Sequence, residues 1–236
     1  MATASGMFDL TPLETEALVL SLRVAVAAVA TSLPFGLIVA WLLARREFPG
    51  KMVINGLIHL PLILPPVAVG YMLLLLLGHK GPLGSWLYQS FGITVAFTWK
   101  GAAIASAVMG FPLMVRAMRL SLEAVDRRLE QAARTVGATP AWVFLTVTLP
   151  LTLPGVLAGA VLAFARSLGE FGATIAFVSN IPGETRTLPL AMFSMIQTPG
   201  GDQAALRLLV ISVLLAMAAL VASEVLARRI SPQNGD

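Results

Sequence analysis

The sequence predicts an all-α membrane protein with five spanning helices, and three observations favour that fold class. Hydrophobic residues make up 57% of the 236 residues and charged residues only 12%, whereas ordinary soluble domains contain roughly 25% charged residues. The mean hydropathy is +0.85. Five apolar runs are also long enough to cross a bilayer, which takes about 20 residues in a helix.

The predicted spans follow one another without a domain boundary. They cover residues 17–44, 53–78, 93–115, 147–178 and 206–227. No fixed-period duplication and no low-complexity linker divides the chain, so we expect a single domain over 15–229, with tails at 1–14 and 230–236. Residues 1–16 contain no Lys or Arg, unlike the basic start of a secretory leader. The first span is therefore expected to remain as a membrane anchor.

The distribution of basic residues predicts the orientation. Lys and Arg resist translocation, so the side richer in them is cytoplasmic. The loops after the first, third and fifth spans carry ten of the sixteen basic residues, namely Arg45, Arg46, Lys51, Arg116, Arg119, Arg127, Arg128, Arg134, Arg228 and Arg229. The opposite side carries Lys80, Lys100, Arg186 and Arg207. We therefore expect the N-terminus outside the membrane and the C-terminus in the cytoplasm.

Prolines interrupt several of these spans. Pro61, Pro65 and Pro66 are expected to break or kink the second span, because each proline removes a backbone donor and clashes with the preceding turn. Further prolines lie in the third and fourth spans, at Pro112, Pro150 and Pro154. Prolines of this kind are either packing kinks or part of a set of broken helices that line a pathway. The stretch 187–201 is too short to cross and predicts a re-entrant or interfacial helix on the outer side.

An amphipathic segment interrupts the apolar sequence between the third and fourth spans. Its apolar residues recur at helical spacing, at Leu122, Val125, Leu129, Ala132 and Val136. Gly137 then favours a helix end, and Thr139 with Pro140 is typical of the start of another helix. We call residues 122–142 the elbow segment. Its apolar stripe is expected to pack on the bundle, with the polar face either available to a soluble partner or simply solvated at the membrane surface.

The elbow segment resembles the signature of the permease subunits of bacterial type I ABC importers, which is Glu-Ala-Ala, three residues, Gly, nine residues and Ile-x-Leu-Pro. Here Glu130, Gln131, Ala132 and Ala133 precede Gly137 at that spacing, and Val-Thr-Leu-Pro follows at 147–150. One polar residue is inserted before the alanine pair, and Val replaces Ile. In that family the segment is a coupling helix that docks into a separate ATPase subunit. The resemblance implies the type I importer permease fold and a docking surface at Glu130, Gln131, Ala132, Ala133, Gly137, Thr139 and Trp142.

Longer stretches are similar to one branch of that class, the molybdate permeases. They are LPLILPPVAVGY, FPLMVRA, LEQAARTVGA, LAFARSLGEFGATIAFVSNIPGETRTLPLAMF and IQTPGG. The resemblance covers 15–229 and implies a homodimer in the bacterial plasma membrane, served by two ATPase subunits and an extracytoplasmic molybdate-binding protein. The stretch ARSLGEFGA also resembles sulfate and thiosulfate permeases, so those anions and tungstate stay open as alternatives.

Two opposite charges are predicted inside the fourth span. Arg166 and Glu170 are four residues apart, so they share a face of a continuous helix and are able to pair. Charges at that depth face a bundle interior or an aqueous cavity. The pair is either structural or part of a translocation path, and the candidate path residues are Arg166, Ser167, Glu170, Thr174, Pro65 and Pro66.

Several function classes lack their usual residues in this sequence. The sequence contains no G-x-x-x-x-G-K-[ST] phosphate loop, so ATP and Mg are expected on the partner ATPase. It contains no Cys, and His59 and His79 stand apart, so no metal site or other cofactor is expected in this chain. It contains neither H-E-x-x-H nor G-x-S-x-G, which disfavours an intramembrane enzyme. An ion-coupled carrier or channel lacks the inverted repeat, and the net charge of +4 reflects basic loops rather than binding to nucleic acid.

Overall fold

The computed structural model describes the backbone of residues 10–230 and the side chains of that range except at positions 223, 224 and 226–230. Every regular element within this range is helical, which confirms the all-α prediction. In chain order the helices are α1 (Pro12–Arg45), α2 (Lys51–Ile63), α3 (Pro66–Leu77), α4 (Pro82–Phe91), α5 (Trp99–Ala124), α6 (Arg127–Thr135), α7 (Pro140–Val143), α8 (Leu149–Leu168), α9 (Gly172–Val178), α10 (Leu188–Ile196) and α11 (Asp202–Ile230). A π-helical turn, Phe144–Thr148, joins α7 to α8.

The described residues contain four helices able to cross a membrane, and a bent pair makes up to five crossings. Four continuous helical stretches are long and apolar enough to span, namely Pro12–Arg45, Trp99–Ala124, Pro140–Leu168 and Asp202–Ala222. The helices α2 and α3 are together apolar enough for a fifth crossing but are bent by 114°. The bend lies at Leu64 and Pro65, where the predicted proline cluster interrupts the helix.

The structure changes several predicted boundaries. The expected N-terminal tail, 1–14, overlaps α1, because Thr11 caps that helix and accepts a hydrogen bond from the N–H of Glu14 at 3.4 Å. The described residues do not include 1–9, which form most of that tail, or 231–236, which form most of the C-terminal tail. The side chains of Arg228 and Arg229 also lie outside the described part of the chain. The third span begins at Trp99 rather than at 93, since Thr98 caps α5. The short helix α4 was not predicted.

The predicted fourth span, 147–178, is wrong as a single helix. The helical stretch starts earlier, at Pro140, and ends at Leu168. Gly169 ends α8 and a separate short helix, α9, starts at Gly172. The helix α10 lies within the predicted stretch 187–201, and the Oγ of Ser21 in α1 accepts a hydrogen bond from the N–H of Leu188 at its start, at 2.7 Å.

Helix α5 lies at the centre of the bundle and packs along α1 and α8. Glycines allow this close approach. A Cβ added at Gly159 would lie 2.9 Å from the carbonyl oxygen of Met114, and one added at Gly155 would collide with Ser121. Small residues are typical of helix interfaces in membranes, where tight contact between helices replaces much of the hydrophobic driving force. One half of α5 packs with α9, and the other half packs with α8 and the end of α1.

A substitution at this interface tests the packing. Gly155→Leu is expected to destabilise the purified protein by about 1–3 kcal/mol, because overpacking displaces α5 from α8. Gly56→Leu is the matched control, since a Cβ at Gly56 in α2 has no atom within 4 Å. Thermal unfolding in detergent, followed by tryptophan fluorescence, measures both variants. Equal stability of the two would contradict the assigned interface.

Candidate functional site

The elbow segment consists of two short helices joined at Gly137, as predicted. Asp126 caps α6, and its Oδ1 accepts a hydrogen bond from the N–H of Arg128 at 2.9 Å. Gly137 has φ +88°, a backbone conformation that glycine adopts with little cost. Thr139 caps α7 by accepting a hydrogen bond from the N–H of Trp142 at 3.3 Å. The turn at Gly137 and the start of α7 therefore lie where the sequence predicts them, whereas α6 begins at Arg127 rather than at Leu122.

The prediction that the apolar stripe packs on the bundle is wrong for its second half. Leu122 and Val125 are buried, but Leu129 is 49% exposed and Val136 is 83% exposed. The reason is a break in the helix: α5 ends at Ala124, and the chain turns before α6 begins. Leu129 and Val136 therefore remain uncovered by the rest of the chain.

Glu130 points inward and joins three parts of the chain. Its Oε1 lies 2.9 Å from Nη2 of Arg45 at the end of α1, and the two side chains are only 14% and 8% exposed. The same Oε1 accepts a hydrogen bond from the Oγ1 of Thr148 at 2.8 Å. Arg45 Nη2 also donates to the carbonyl of Val125 at 3.4 Å. We call Arg45, Glu130 and Thr148 the elbow joint, and sequence reasoning missed it.

An exposed ion pair near the elbow joint contrasts with its burial. Lys51 donates to Oε1 of Glu47 at 2.7 Å, and this hydrogen bond holds the pKa of Glu47 below its ordinary value. The Glu47 side chain is 89% exposed, so this pair adds little to stability. The buried pair between Arg45 and Glu130, by contrast, joins α1 to the elbow segment.

The predicted docking residues other than Glu130 lie mostly on the outer surface of the elbow segment. Gln131, Ala132, Gly137 and Thr139 are exposed, and Ala133 is half-buried. Trp142 is 54% exposed. An exposed tryptophan beside small and polar residues forms a surface of the kind that protein partners bind. Glu130 does not belong to this surface in the described conformation.

Arg166 and Glu170 form the predicted ion pair, although Glu170 does not lie within the helix. Nη1 of Arg166 is 2.7 Å from Oε2 of Glu170. That approach lies outside hydrogen-bond angles, so the short distance between the charges defines the contact. The other oxygen, Oε1, accepts a hydrogen bond from the N–H of Ala173 at 2.8 Å. Glu170 therefore contacts both helices that flank the break, through Arg166 of α8 and Ala173 of α9.

The structure brings together the candidate path residues of the second and fourth spans. A Cβ added at Gly172 would lie 2.7 Å from the Cβ of Pro66, so α9 and α3 begin in contact. The two hydroxyl-bearing residues of the predicted path, Ser167 and Thr174, are buried. Ser167 is 6% exposed and Thr174 is 1% exposed, and Ser167 donates to the carbonyl of Ala163 at 2.8 Å.

An open groove lies beside this break, between α8, α10 and α11. Its volume is 450 Å³, and it is lined by apolar residues that include Leu168, Phe171, Met192 and Leu215. No charged side chain lines it within the described part of the chain. An apolar lining is unfavourable for an anion, because burying a charge without partners is costly. The lining of this groove therefore does not favour an anion.

Comparison with known proteins adds independent information. The family described as "Binding-protein-dependent transport system inner membrane component" matches residues 32–232. The molybdenum transport system permease protein ModB of Escherichia coli K12 is 63% identical over 219 residues, which cover 93% of this chain and 96% of that protein. The ModB protein of Haemophilus influenzae is 57% identical, with 94% of this chain and 97% of that protein covered.

Among solved structures, this chain is similar to one in a bacterial alginate ABC transporter in complex with an alginate-bound periplasmic protein. The TM-score is 0.75 at 15% identity, and the match covers 98% of this chain and 83% of that chain. At this identity the likeness shows the fold. It is the fold of an ABC importer, as the elbow signature predicts.

The ion pair at the break gives a stability prediction. Glu170→Ala is expected to cost about 3 kcal/mol, because it leaves Arg166 without its partner and removes the acceptor for Ala173. Glu123→Ala removes an exposed carboxylate that pairs with Arg119 at 2.7 Å and is expected to cost less than about 1 kcal/mol. Thermal unfolding in detergent compares the two variants. If Glu170→Ala were no more damaging than Glu123→Ala, the pair would not stabilise the break.

Proposed function

We propose that this chain, which belongs to the family of binding-protein-dependent transport system inner membrane components, is the permease subunit of an ATP-driven molybdate importer. The identity of 63% to a molybdenum permease across nearly the whole of both chains carries the choice of substrate. The exposed elbow segment supports a mechanism in which a separate ATPase drives transport. Its position between two membrane helices suits a surface through which a soluble ATPase moves the bundle.

The mechanism follows from how the elbow segment is attached. The ATPase subunit contacts the exposed surface that contains Gln131, Ala132, Thr139 and Trp142, and Gly137 sets the angle between the two short helices. The α7 helix continues through the π turn into α8 without a break from Pro140 to Leu168. A displacement of the elbow segment therefore reaches the break at Gly169 along one helical stretch. ATP binding and hydrolysis shift the population between inward-open and outward-open states.

The partners and the orientation belong to the same proposal. Two copies of this chain assemble with two ATPase subunits, which hold ATP and Mg, and with an extracytoplasmic molybdate-binding protein. Contacts between Arg45 and Glu130 support the orientation, because they place the basic end of α1 beside the basic elbow segment. These residues face the cytoplasm, and the N-terminus lies outside. Apolar side chains left exposed, such as Leu214 at 58%, are covered by lipid or by the second copy.

The translocation path runs past the break between α8 and α9. Arg166, Ser167, Glu170 and Thr174 lie on the fourth-span side, and Pro65 with Pro66 lies on the α3 side. Glu170 neutralises Arg166 in this conformation, so the path contains no strong permanent anion site. Weak binding suits transport, since a tightly held anion would not be released. Selectivity then resides mainly in the separate binding protein.

Uptake in cells tests the substrate. Cells that lack this chain and then regain it are expected to recover uptake of labelled molybdate, and excess sulfate is expected to leave that uptake unchanged. Competition by tungstate measures how far the site separates these two anions. Inhibition of molybdate uptake by sulfate at equal concentration would instead indicate a sulfate importer.

A pair of glycines tests the coupling role. Gly137→Val is expected to lower molybdate uptake per ATP hydrolysed, because a β-branched residue at φ +88° changes the elbow angle at a cost of roughly 1–2 kcal/mol. Gly50→Val is the matched control, since Gly50 has φ +87° and lies in the loop between α1 and α2. Reconstituted importer in liposomes gives both rates. Equal uptake per ATP in the two variants would remove the elbow segment from the mechanism.

A further inference from the structure

We propose that Arg186 binds the tetrahedral oxyanion where the anion enters the translocation path from the outer side. Arg186 belongs to the loop between α9 and α10, residues 179–187, which we call the outer loop. The inference rests on the proposed function and on the proposed orientation, and it adds a residue that is not among the candidate path residues. It concerns entry of the anion, whereas the residues at the break between α8 and α9 concern its passage.

The charge of Arg186 is not neutralised by a carboxylate in the described part of the chain. Its Nε donates a hydrogen bond to Oδ1 of Asn180 at 2.9 Å, and that amide is neutral. None of the ion pairs among the described residues includes Arg186. Glu184, two positions earlier, instead accepts a hydrogen bond from the N–H of Trp99 in α5 at 3.2 Å. The guanidinium therefore keeps its positive charge for an anion.

Arg166 shows the opposite arrangement at the other end of α9. Its Nη1 lies 2.7 Å from Oε2 of Glu170, so its charge is neutralised in this conformation. The helix α9 has seven residues, which corresponds to roughly 10 Å of length, and it lies between the two arginines in the chain. An anion that enters from outside therefore meets a positive charge at the outer end of α9 before it reaches the neutralised pair at the break.

The guanidinium of Arg186 also has the geometry for an oxyanion. Asn180 binds Nε, and neither Nη donates a hydrogen bond to a described residue. The N–H groups of two adjacent guanidinium nitrogens match two oxygens of one anion, as they match the two oxygens of a carboxylate. Arg186 is half-buried, so water still screens its charge. A single screened arginine binds a dianion weakly, which agrees with a path that has to release it.

The outer loop holds this arginine in a fixed position. Nδ2 of Asn180 donates to the Oγ of Ser194 at 2.7 Å and to the carbonyl of Leu190 at 3.3 Å, both in α10. The buried Thr185 donates to the carbonyl of Ser179 at 3.2 Å. Ser179 has φ +64°, a conformation that is costly for a residue other than glycine and that occurs most often at functional sites. The loop is thus ordered before an anion arrives, which favours binding because little ordering remains to be done.

Variants of Arg186 test this role in the complete importer, reconstituted in liposomes with its ATPase and binding protein. They are Arg186→Gln, which removes the charge, Arg186→Glu, which reverses it, and Arg186→Lys, which keeps it. Lys100→Gln and Lys100→Glu are the matched controls, because Lys100 is an exposed basic residue on the same outer side. Two quantities are measured: the affinity of the importer for the molybdate-loaded binding protein, and the molybdate taken up per ATP hydrolysed when that protein is saturating.

Arg186→Gln is expected to lower molybdate uptake per ATP by about tenfold, which is the low end of what one hydrogen bond to a charged group contributes. Arg186→Glu is expected to lower it further, because a carboxylate repels the anion. Arg186→Lys is expected to give an intermediate value, since an ammonium group keeps the charge but lacks the paired N–H groups. The affinity for the binding protein is expected to stay unchanged in all three variants. Both Lys100 variants are expected to transport like the unaltered chain.

Three results would overturn the inference. One is an Arg186→Gln variant that transports as well as Lys100→Gln. Another is a parallel fall in uptake and in affinity for the binding protein, which would make Arg186 a docking contact for that protein. The third is an Arg186→Lys variant as impaired as Arg186→Glu, which would give Arg186 a structural role independent of its charge. If instead the unaltered chain with its ATPase and binding protein took up no molybdate, the proposed function itself would be wrong.

Discussion

The requirement that backbone polar groups be satisfied within the protein governs where this bundle is allowed to bend. Water is absent from the hydrocarbon region, so each interrupted helix needs an internal acceptor or donor. Glu170 meets this requirement for the N–H of Ala173, and Ser21 meets it for the N–H of Leu188. At the break in the fourth span and at the start of α10, a side-chain oxygen therefore accepts the hydrogen bond of a backbone N–H that the helix itself leaves unpaired. The first of these positions, at Glu170, lies among the candidate path residues.

A buried carboxylate holds α1 at each of its ends. At one end Glu130 binds Arg45, and at the other Glu14 of α1 lies 2.9 Å from Nη2 of Arg207 in α11 and is 1% exposed. The helix has 34 residues and packs against α5 and α8. It therefore links the elbow segment at one end to α11 at the other. The two carboxylates lie far apart in the sequence from their basic partners, and each pair joins different helices.

Local signals in the sequence predicted local features of the structure well. Pro65 and Pro66 placed the bend of the second span, and Gly137 with Thr139 placed the turn and the cap of the elbow segment, because each acts through its own backbone. The end of α8 at Gly169 was missed because the surrounding run, which is apolar apart from Arg166 and Glu170, contains no proline. The inward direction of Glu130 was also missed, since it depends on Arg45, which lies 85 residues earlier in the chain. The prediction that the stripe from Leu122 to Val136 packs on the bundle was wrong, because periodicity does not show that a helix stops at Ala124.

The account depends most on contact between the exposed surface of the elbow segment and an ATPase. The chain contains no Cys, so single cysteines at Gln131, Thr139 and Trp142, each exposed, can report that contact in intact membranes. Thiol cross-linking is expected to join each of them to the ATPase, and a cysteine at the exposed Pro182, on the predicted outer side, is expected to give no such product. Labelling of positions 131, 139 and 142 from outside the cell, or their failure to cross-link in a transporting complex, would contradict the account.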